Sequence, residues 1–397
     1  MTKGSTTIEK LILIDTLERL GVGYHFEQEI EDQLREIFFF QSQDKDQDNY
    51  DLFATALQFR LLRQHRYSVS CDVFNKFKDY GGKFEETLTS DAKGLLSLWW
   101  NELDLVSKLP YARDRLVEGF FWGTTFHFQP QHSYARIAIT KSVAMLTIMD
   151  DTYDNYATVE EADLFTEILE KWDINELDRL PDYMKIIYKF IINLYEDYEV
   201  EAAKQGKLFA VPYAIEAVKQ IAKAYNRHTQ WFLGGQMPTY EEYIVNTVVT
   251  SCIYVFLTVG IPGLKSASKE SIDWLISKPN KALIASTRTC RHADDIGSDE
   301  NGRRGNIPTA VDCYRKQYGV SKEETVDKFK ELFENSWKDF NTEWSTEIST
   351  VSKDMMEQLL NYARAGEVHY KNGRDAYPDP RNLAREIAIV FMDPIVI

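Results

Sequence analysis

Cysteine is scarce in this chain and unpatterned. The four in 397 residues, Cys71, Cys252, Cys290 and Cys313, show no CxxC spacing, which excludes a zinc knuckle and a disulfide framework and fits a reducing cytosol. Positive charge is also short: 46 Lys and Arg stand against 62 Asp and Glu, a formal net charge of -16. That balance opposes binding to nucleic-acid phosphates or anionic lipid. No strand-type alternation of apolar and polar residues stands out, nor any internal repeat or low-complexity linker, so neither a sheet protein nor a repeat array is expected. The opening "MTKGSTTIEKLILIDTLERLG" has no uninterrupted apolar core of signal-peptide type and carries too many acids for a transit peptide, so a cytoplasmic protein without a targeting segment is expected.

What is present is apolar surface in helical register. Hydrophobic residues make up 44% of the chain and aromatic ones 13%, enough to bury a sizeable core in one large domain or two modest ones. Met184, Ile187, Phe190, Ile191, Leu194 and Tyr198 fall on one helix face, and Val326, Phe329, Leu332 and Trp337 form a second stripe. Thr158 with Glu161, Thr239 with Glu242, and Ser321 with Glu324 each read as a capping box opening a helix. The most apolar run, Tyr243 to Gly260, contains Asn246 and several hydroxyl residues and follows such a box, as a buried helix of a soluble protein does. An all-α architecture follows. One junction is abrupt: in "GLLSLWWNELDL" a helix-like run meets Trp99 and Trp100 with no turn signal.

Three groups carry chemistry. In "SVAMLTIMDDTYDNY" an apolar run ends in Asp150, Asp151 and Asp154; on a helix Asp150 and Asp154 lie one turn apart, and three like charges so close require a cation. Mg²⁺ suits carboxylate oxygens and bridges to phosphate. A solvated helix end is the plain alternative, although acids at a helix C-terminus oppose the helix dipole. A calcium loop is another, since Asp150, Thr152, Asp154, Tyr156, Thr158 and Glu161 occupy EF-hand positions, but Asn155 stands where glycine belongs and Glu161 has a capping role. The second group, "TRTCRHADDIGSDENGRRGN", sets Asp294, Asp295, Ser298, Asp299 and Glu300 among Arg288, Arg291, Arg303 and Arg304. It reads either as metal ligands facing an anionic partner such as a diphosphate or as an exposed, charge-mixed loop. The third sets Arg113 and Arg115 before Phe120, Phe121, Trp122, Phe126 and Phe128: cations for a leaving anion and rings for a carbocation, or an ordinary aromatic core with surface ion pairs.

Together, "DDTYD", "DDIGSDE", "RDR" ahead of an aromatic helix and the closing "YKNGRDAYPDP" resemble the plant class I terpene synthases of the sesquiterpene type. "LERLGVGYHFEQEI", "ALQFRLLRQHRYSVS" and "KWDINELDRLPDYMKIIYK" are similar to the family as well, so the resemblance covers nearly the whole chain. It implies a helical bundle in which a partial N-terminal domain over residues 1–98 precedes a catalytic domain over residues 99–397. It implies three Mg²⁺ ions, with Mn²⁺ as a substitute, and ionisation of farnesyl diphosphate followed by cyclisation, by a monomer that needs no nucleic acid or membrane. Asp150, Asp151 and Asp154 match the DDxxD metal motif. Asp294 and Ser298 match the first two ligand positions of the second motif, with Glu300 as the nearest glutamate for the third. Arg291 matches the arginine preceding that motif, and Arg113 and Arg115 match the pair that restrains diphosphate. Substrate binding thereby falls to Arg113, Asp150, Asp154, Arg291 and Asp294, while Trp122, Tyr370, Asp375 and Tyr377 match positions lining or closing the pocket.

Two departures from the family qualify this. The tandem-arginine segment near the N-terminus is absent, and the chain skips family sequence between "GLLSL" and "WWNELDL". In the second motif the expected glutamate position, eight residues after Asp294, holds Gly302, with Glu300 two residues early. The competing expectations are a non-catalytic truncated relative and a calcium-binding helical protein.

The short motif predicts impaired metal binding and turnover, because on a continuous helix Glu300 points about 200° around the axis from Ser298. Inserting two residues between Ser298 and Asp299 restores the spacing, so Mg²⁺ affinity by calorimetry and turnover should both rise. Folded protein in which neither changed would refute the ligand-stripe argument.

Overall fold

The computed structural model describes residues 6–19, 23–40, 50–65, 67–78, 92–276, 280–300, 309–346, 353–370, 375–376 and 379–391. Among them the regular elements are helices and no β-strand occurs, as the stripes predict. The chain divides into two compact units, Met1–Ser107 and Lys108–Ile397.

The first unit contains α1 (Thr7–Arg19), α2 (Glu27–Phe40), α3 (Leu52–Gln64) and α4 (Ala92–Leu103). Leu11 and Ile14 of α1, Ile30, Leu34 and Ile37 of α2, and Leu57, Leu61 and Leu62 of α3 close one apolar core. Leu52, Ala56, Phe74 and Leu98 close another. The sequence junction at Leu98 and Trp99 falls inside α4, which runs through it as one helix.

After α5 (Leu105–Lys108), whose last residue begins the second unit, the chain continues through α6 (Leu116–Phe126), α7 (Ser133–Asn155), α8 (Val159–Lys171), α9 (Asp182–Lys204), α10 (Val211–Leu233), α11 (Tyr240–Thr250) and α12 (Ile253–Gly260). There follow α13 (Lys269–Ile276), α14 (Lys281–Glu300), α15 (Ala310–Tyr318), α16 (Lys322–Thr346), α17 (Lys353–His369) and α18 (Ala384–Phe391). Each of the three capping boxes forms, with reciprocal bonds between Thr158 and Glu161, Thr239 and Glu242, and Ser321 and Glu324. The predicted stripe on α9 is buried along its length.

Helix α7 is buried on nearly every side over Val143 to Met149, which marks it as a central helix of this unit. Its hydroxyls need no outside partner there, because Thr140, Ser142, Thr147 and Thr152 bond back to carbonyls one turn earlier. Helix α6 reaches it closely through Gly123, where an added Cβ would stand 2.5 Å from the Arg136 carbonyl oxygen.

The apolar run from Tyr243 to Gly260 differs from the single helix expected. It divides into α11 and α12 at Cys252, whose φ of 64° lies in the left-handed region. Residues Tyr240–Gly263 are long and apolar enough to cross a membrane by composition, but the segment is mostly buried within the protein. The calcium-loop alternative is also corrected: Asp150 to Asn155 is the last stretch of α7, not a loop.

In the first unit His65 lies between two carboxylates, Nε2 at 2.5 Å from Glu18 and Nδ1 at 3.4 Å from Glu31. Tyr67 also donates to Glu31, at 2.6 Å. The Glu18 bond, working against burial, raises the imidazole pKa above its ordinary value. A raised folded-state pKa gives stabilisation that is complete below the unfolded value and is lost as pH rises through the folded one. The melting temperature should therefore fall as pH rises through and above the ordinary histidine range in the parent chain, and fall less in His65→Gln. Equal slopes in the two proteins would refute the linkage.

Candidate active site

The acidic end of α7 is neutralised from the segment before α6. The Arg113 backbone N–H donates to Asp151 Oδ2 at 2.7 Å, and its side chain places Nε 2.8 Å from Asp151 Oδ1 and Nη2 2.7 Å from Asp150 Oδ2. Asp151 is only 1% exposed, whereas Asp150 and Asp154 are half-buried. The charge cluster that called for a cation therefore already has one on two of its members. Arg113 thus ties Asp151 to the segment before α6. Arg115 stands at the N-cap of α6, with Nη1 on the Asp114 carbonyl oxygen at 2.9 Å. It lies near Asp379, whose carboxyl is held low chiefly by Arg381 and in lesser part by Arg115.

The second acidic segment repeats the design. Arg291 reaches Asp294 at 2.5 Å and Asp295 at 3.0 Å, and the Tyr243 hydroxyl donates to Asp295 at 3.2 Å. Asp295 is buried, and burial raises its carboxyl to about 6 while Arg291 pulls the other way. Asp294 is half-buried. In both Asp-Asp pairs the second carboxylate is buried against an arginine and the first lies nearer the surface. The backbone of α14 is helical through Glu300, without unwinding at Gly297. The side chains of Ser298 and Glu300 lie outside the described residues, as does Tyr377. Tyr370 and Asp375 are described: burial raises the Tyr370 hydroxyl well above its ordinary range, followed by Asp294 and Asp375 among the contributing charges.

The break between α11 and α12 lies within electrostatic reach of a residue from each acidic motif, Asp150 and Arg291. Tyr362 donates to the Ser251 carbonyl oxygen at 2.9 Å, and Tyr225 lies 3.4 Å from Cys252 Sγ. The first contact satisfies a carbonyl that a continuous helix would have used internally. Burial pushes the Cys252 thiol up to about 12, and the smaller influences on it include both Asp150 and Arg291, so it lies within electrostatic reach of each motif. Behind the break is an aromatic wall. Trp122, 6% exposed, stacks on His369 at 4.1 Å and stands 6.0 Å from Tyr362 and 6.2 Å from both Phe126 and Phe256, centroid to centroid.

Among the described residues no three His, Cys, Asp or Glu side chains form a preformed metal cage. The donor chemistry nevertheless fits Mg²⁺, because Asp150, Asp154 and Asp294 offer hard oxygen atoms at half-buried positions. This ion commonly takes one or two carboxylates and completes its shell with water and substrate phosphate. Sequence reasoning missed Tyr243, Tyr362, Cys252 and His369. Only the hydroxyl-rich "TVVTSC" in an apolar run hinted at the break.

Residues 1–100 match the terpene synthase N-terminal domain and residues 101–339 match the terpene synthase family, metal binding domain. The chain is 39% identical to tau-cadinol synthase of Lavandula angustifolia, over 100% of this chain and 90% of that protein. It is 40% identical to gamma-cadinene synthase of Ocimum basilicum, over 99% and 90%. The first alignment spans 500 positions although the chain has 397 residues, so the relative carries sequence that this chain skips. Among solved structures, isoprene synthase from grey poplar leaves (Populus x canescens) in complex with three Mg²⁺ ions and dimethylallyl-S-thiolodiphosphate is 27% identical with a TM-score of 0.69. That likeness covers 100% of this chain and 94% of that one.

Removing the Arg113 side chain takes the guanidinium away from a buried carboxylate. Arg113→Gln should cost about 3–5 kcal/mol of unfolding free energy, as for a broken buried pair. Adding Asp151→Asn should recover part of the loss, because the uncompensated charge is then gone. Chemical denaturation of the two variants measures both quantities. A single variant within about 1 kcal/mol of the parent would show that the pair is not what holds this turn.

Proposed function

The chain belongs to the terpene synthase family, among its plant sesquiterpene synthases, and on that premise we propose that it ionises farnesyl diphosphate and cyclises the resulting allylic cation. As a terpene synthase it is a carbon–oxygen lyase acting on phosphates. The observation that carries the finer reading is the meeting of two acidic helix ends, each with its arginine, in front of the aromatic wall around Trp122. The cadinol and cadinene synthases among the relatives support a fifteen-carbon substrate.

Asp150 and Asp154 on one side and Asp294 with Ser298 on the other are the residues proposed to hold Mg²⁺, with Glu300 as the displaced third donor of the second motif. The bound metal would supply Lewis-acid polarisation of the diphosphate oxygens. Arg115 and Arg291 then face the departing anion and stabilise charge that grows as the carbon–oxygen bond breaks. Arg113 keeps Asp151 and exchanges Asp150 for the diphosphate, so the pair seen in the structure is the resting arrangement of that arginine. Trp122, Phe256 and Tyr362 present ring faces whose quadrupoles favour a cation over a neutral molecule. Water must be kept out, since it would trap the cation as an alcohol, and Tyr370, Asp375 and Tyr377, which resemble the family's closing segment, are the residues proposed to close the site. Unpaired thiols at Cys71, Cys252, Cys290 and Cys313 are consistent with work in the cytoplasm as a monomer.

Asp154→Asn removes a charge at a half-buried position on the acidic end of α7. Its turnover of farnesyl diphosphate with Mg²⁺ should fall at least about a hundredfold while helical content by circular dichroism stays at the parent value. Parent-like turnover in the folded variant would remove the acidic end of α7 from the ionisation step.

A further inference from the structure

One buried polar group beside the aromatic wall has no use in the steps above. His369 ends α17, is 2% exposed and stacks on Trp122 at 4.1 Å with an interplanar angle of 23°. Its Nδ1 lies 2.7 Å from the Ala365 carbonyl oxygen. A carbonyl can only accept, so Nδ1 carries the proton of the neutral ring and Nε2 holds a lone pair. Among the described residues nothing hydrogen-bonds to Nε2, although it is buried. An unpaired buried acceptor is costly and calls for an explanation. The position of α17 is also constrained: an added Cβ at Gly366, one turn before His369, would stand 2.8 Å from Cys290 Sγ and 3.0 Å from Cys290 Cβ on α14.

We propose that His369 Nε2 is the base that ends the reaction by taking a proton from the cyclised cation, an inference that rests on the sesquiterpene synthase reading above. In this step a C–H bond next to the cationic carbon breaks, its electron pair becomes the new C=C π bond, and the proton goes to Nε2. The product is a neutral olefin and an imidazolium, which gives its proton to water when the site opens. Neither oxidant nor reductant is needed. Burial lowers the imidazole pKa to about 4, so the ring is unprotonated at neutral pH and gives up its proton readily afterwards. A carbocation is so strong an acid that even this weak base suffices; what the reaction demands is a lone pair within reach and no water beside it. Tyr370, the next residue in the chain, is one of those proposed above to close the site.

Two variants separate a base from a merely structural histidine. His369→Asn keeps an N–H for the Ala365 carbonyl but has no basic lone pair, and His369→Phe keeps the ring stack but neither nitrogen. Purified parent and variants are given Mg²⁺ and farnesyl diphosphate, with diphosphate release followed by a coupled assay and products by gas chromatography with mass detection. In both variants the share of the parent's main olefin should fall at least about tenfold, with alcohols or alternative olefins rising. Diphosphate release should stay within about threefold of the parent, because ionisation occurs at the acidic helix ends. An unchanged product profile in either folded variant overturns the proposal. Retention of the profile by Asn and its loss only in Phe overturns it too, since that pattern belongs to a structural hydrogen bond. If the parent released no diphosphate and formed no fifteen-carbon product, the reading of function would fail first and this inference with it. An active parent with indifferent variants removes His369 alone.

Discussion

The second unit depends on how a buried helix tolerates an acidic end. Asp151 is 1% exposed, and an ionised carboxylate in such a place is stable only when paired and hydrogen-bonded. Arg113 supplies both, through its backbone N–H and its guanidinium. With that charge settled, Asp150 and Asp154 can stand at half-buried positions one turn apart and face a metal. Arg291 does the same for Asp295 on α14, leaving Asp294 in the outer position. In each motif one arginine bridges two adjacent carboxylates, the second buried and the first nearer the surface.

The arrangement imposes a second requirement, that the acidic ends and the apolar wall share one space. The break at Cys252 meets it. A straight helix over Tyr243 to Gly260 would carry its backbone groups internally; the left-handed Cys252, held by Tyr225 and with Tyr362 on the neighbouring Ser251 carbonyl, turns the chain between the two motifs instead. A non-glycine residue in that conformation costs on the order of 1–2 kcal/mol, and it persists because the surrounding tyrosines satisfy the groups it exposes.

Much of this was legible in the sequence, for reasons that differ by element. Capping boxes are local, so Thr158, Thr239 and Ser321 could be read from three-residue spacings. The α9 stripe is a property of one helix and followed from periodicity. The acidic motifs were visible because carboxylates ending an apolar run are costly wherever they occur. The role of Arg113 was only half visible: its cationic partnership was foreseen, but toward a diphosphate, and nothing local showed that residues nearly forty positions away in sequence would take it first. The break at Cys252 and the stack of His369 on Trp122 are tertiary in origin. They arise from Tyr362 and from the close approach of α17 to α14, and no spacing within either segment encodes them. The difference in burial between Asp150 and Asp151 was hidden for the same reason, since two adjacent aspartates look alike in sequence.

The account rests on the acidic helix ends and the aromatic wall acting together on one prenyl diphosphate. The direct measurement is incubation of the purified chain with Mg²⁺ and, separately, ten-, fifteen- and twenty-carbon prenyl diphosphates, followed by gas chromatography with mass detection. The account predicts a metal-dependent cyclic hydrocarbon or alcohol from the fifteen-carbon substrate, abolished by chelation. Folded protein that bound Mg²⁺ and farnesyl diphosphate yet released neither diphosphate nor any terpene from the three substrates would contradict it.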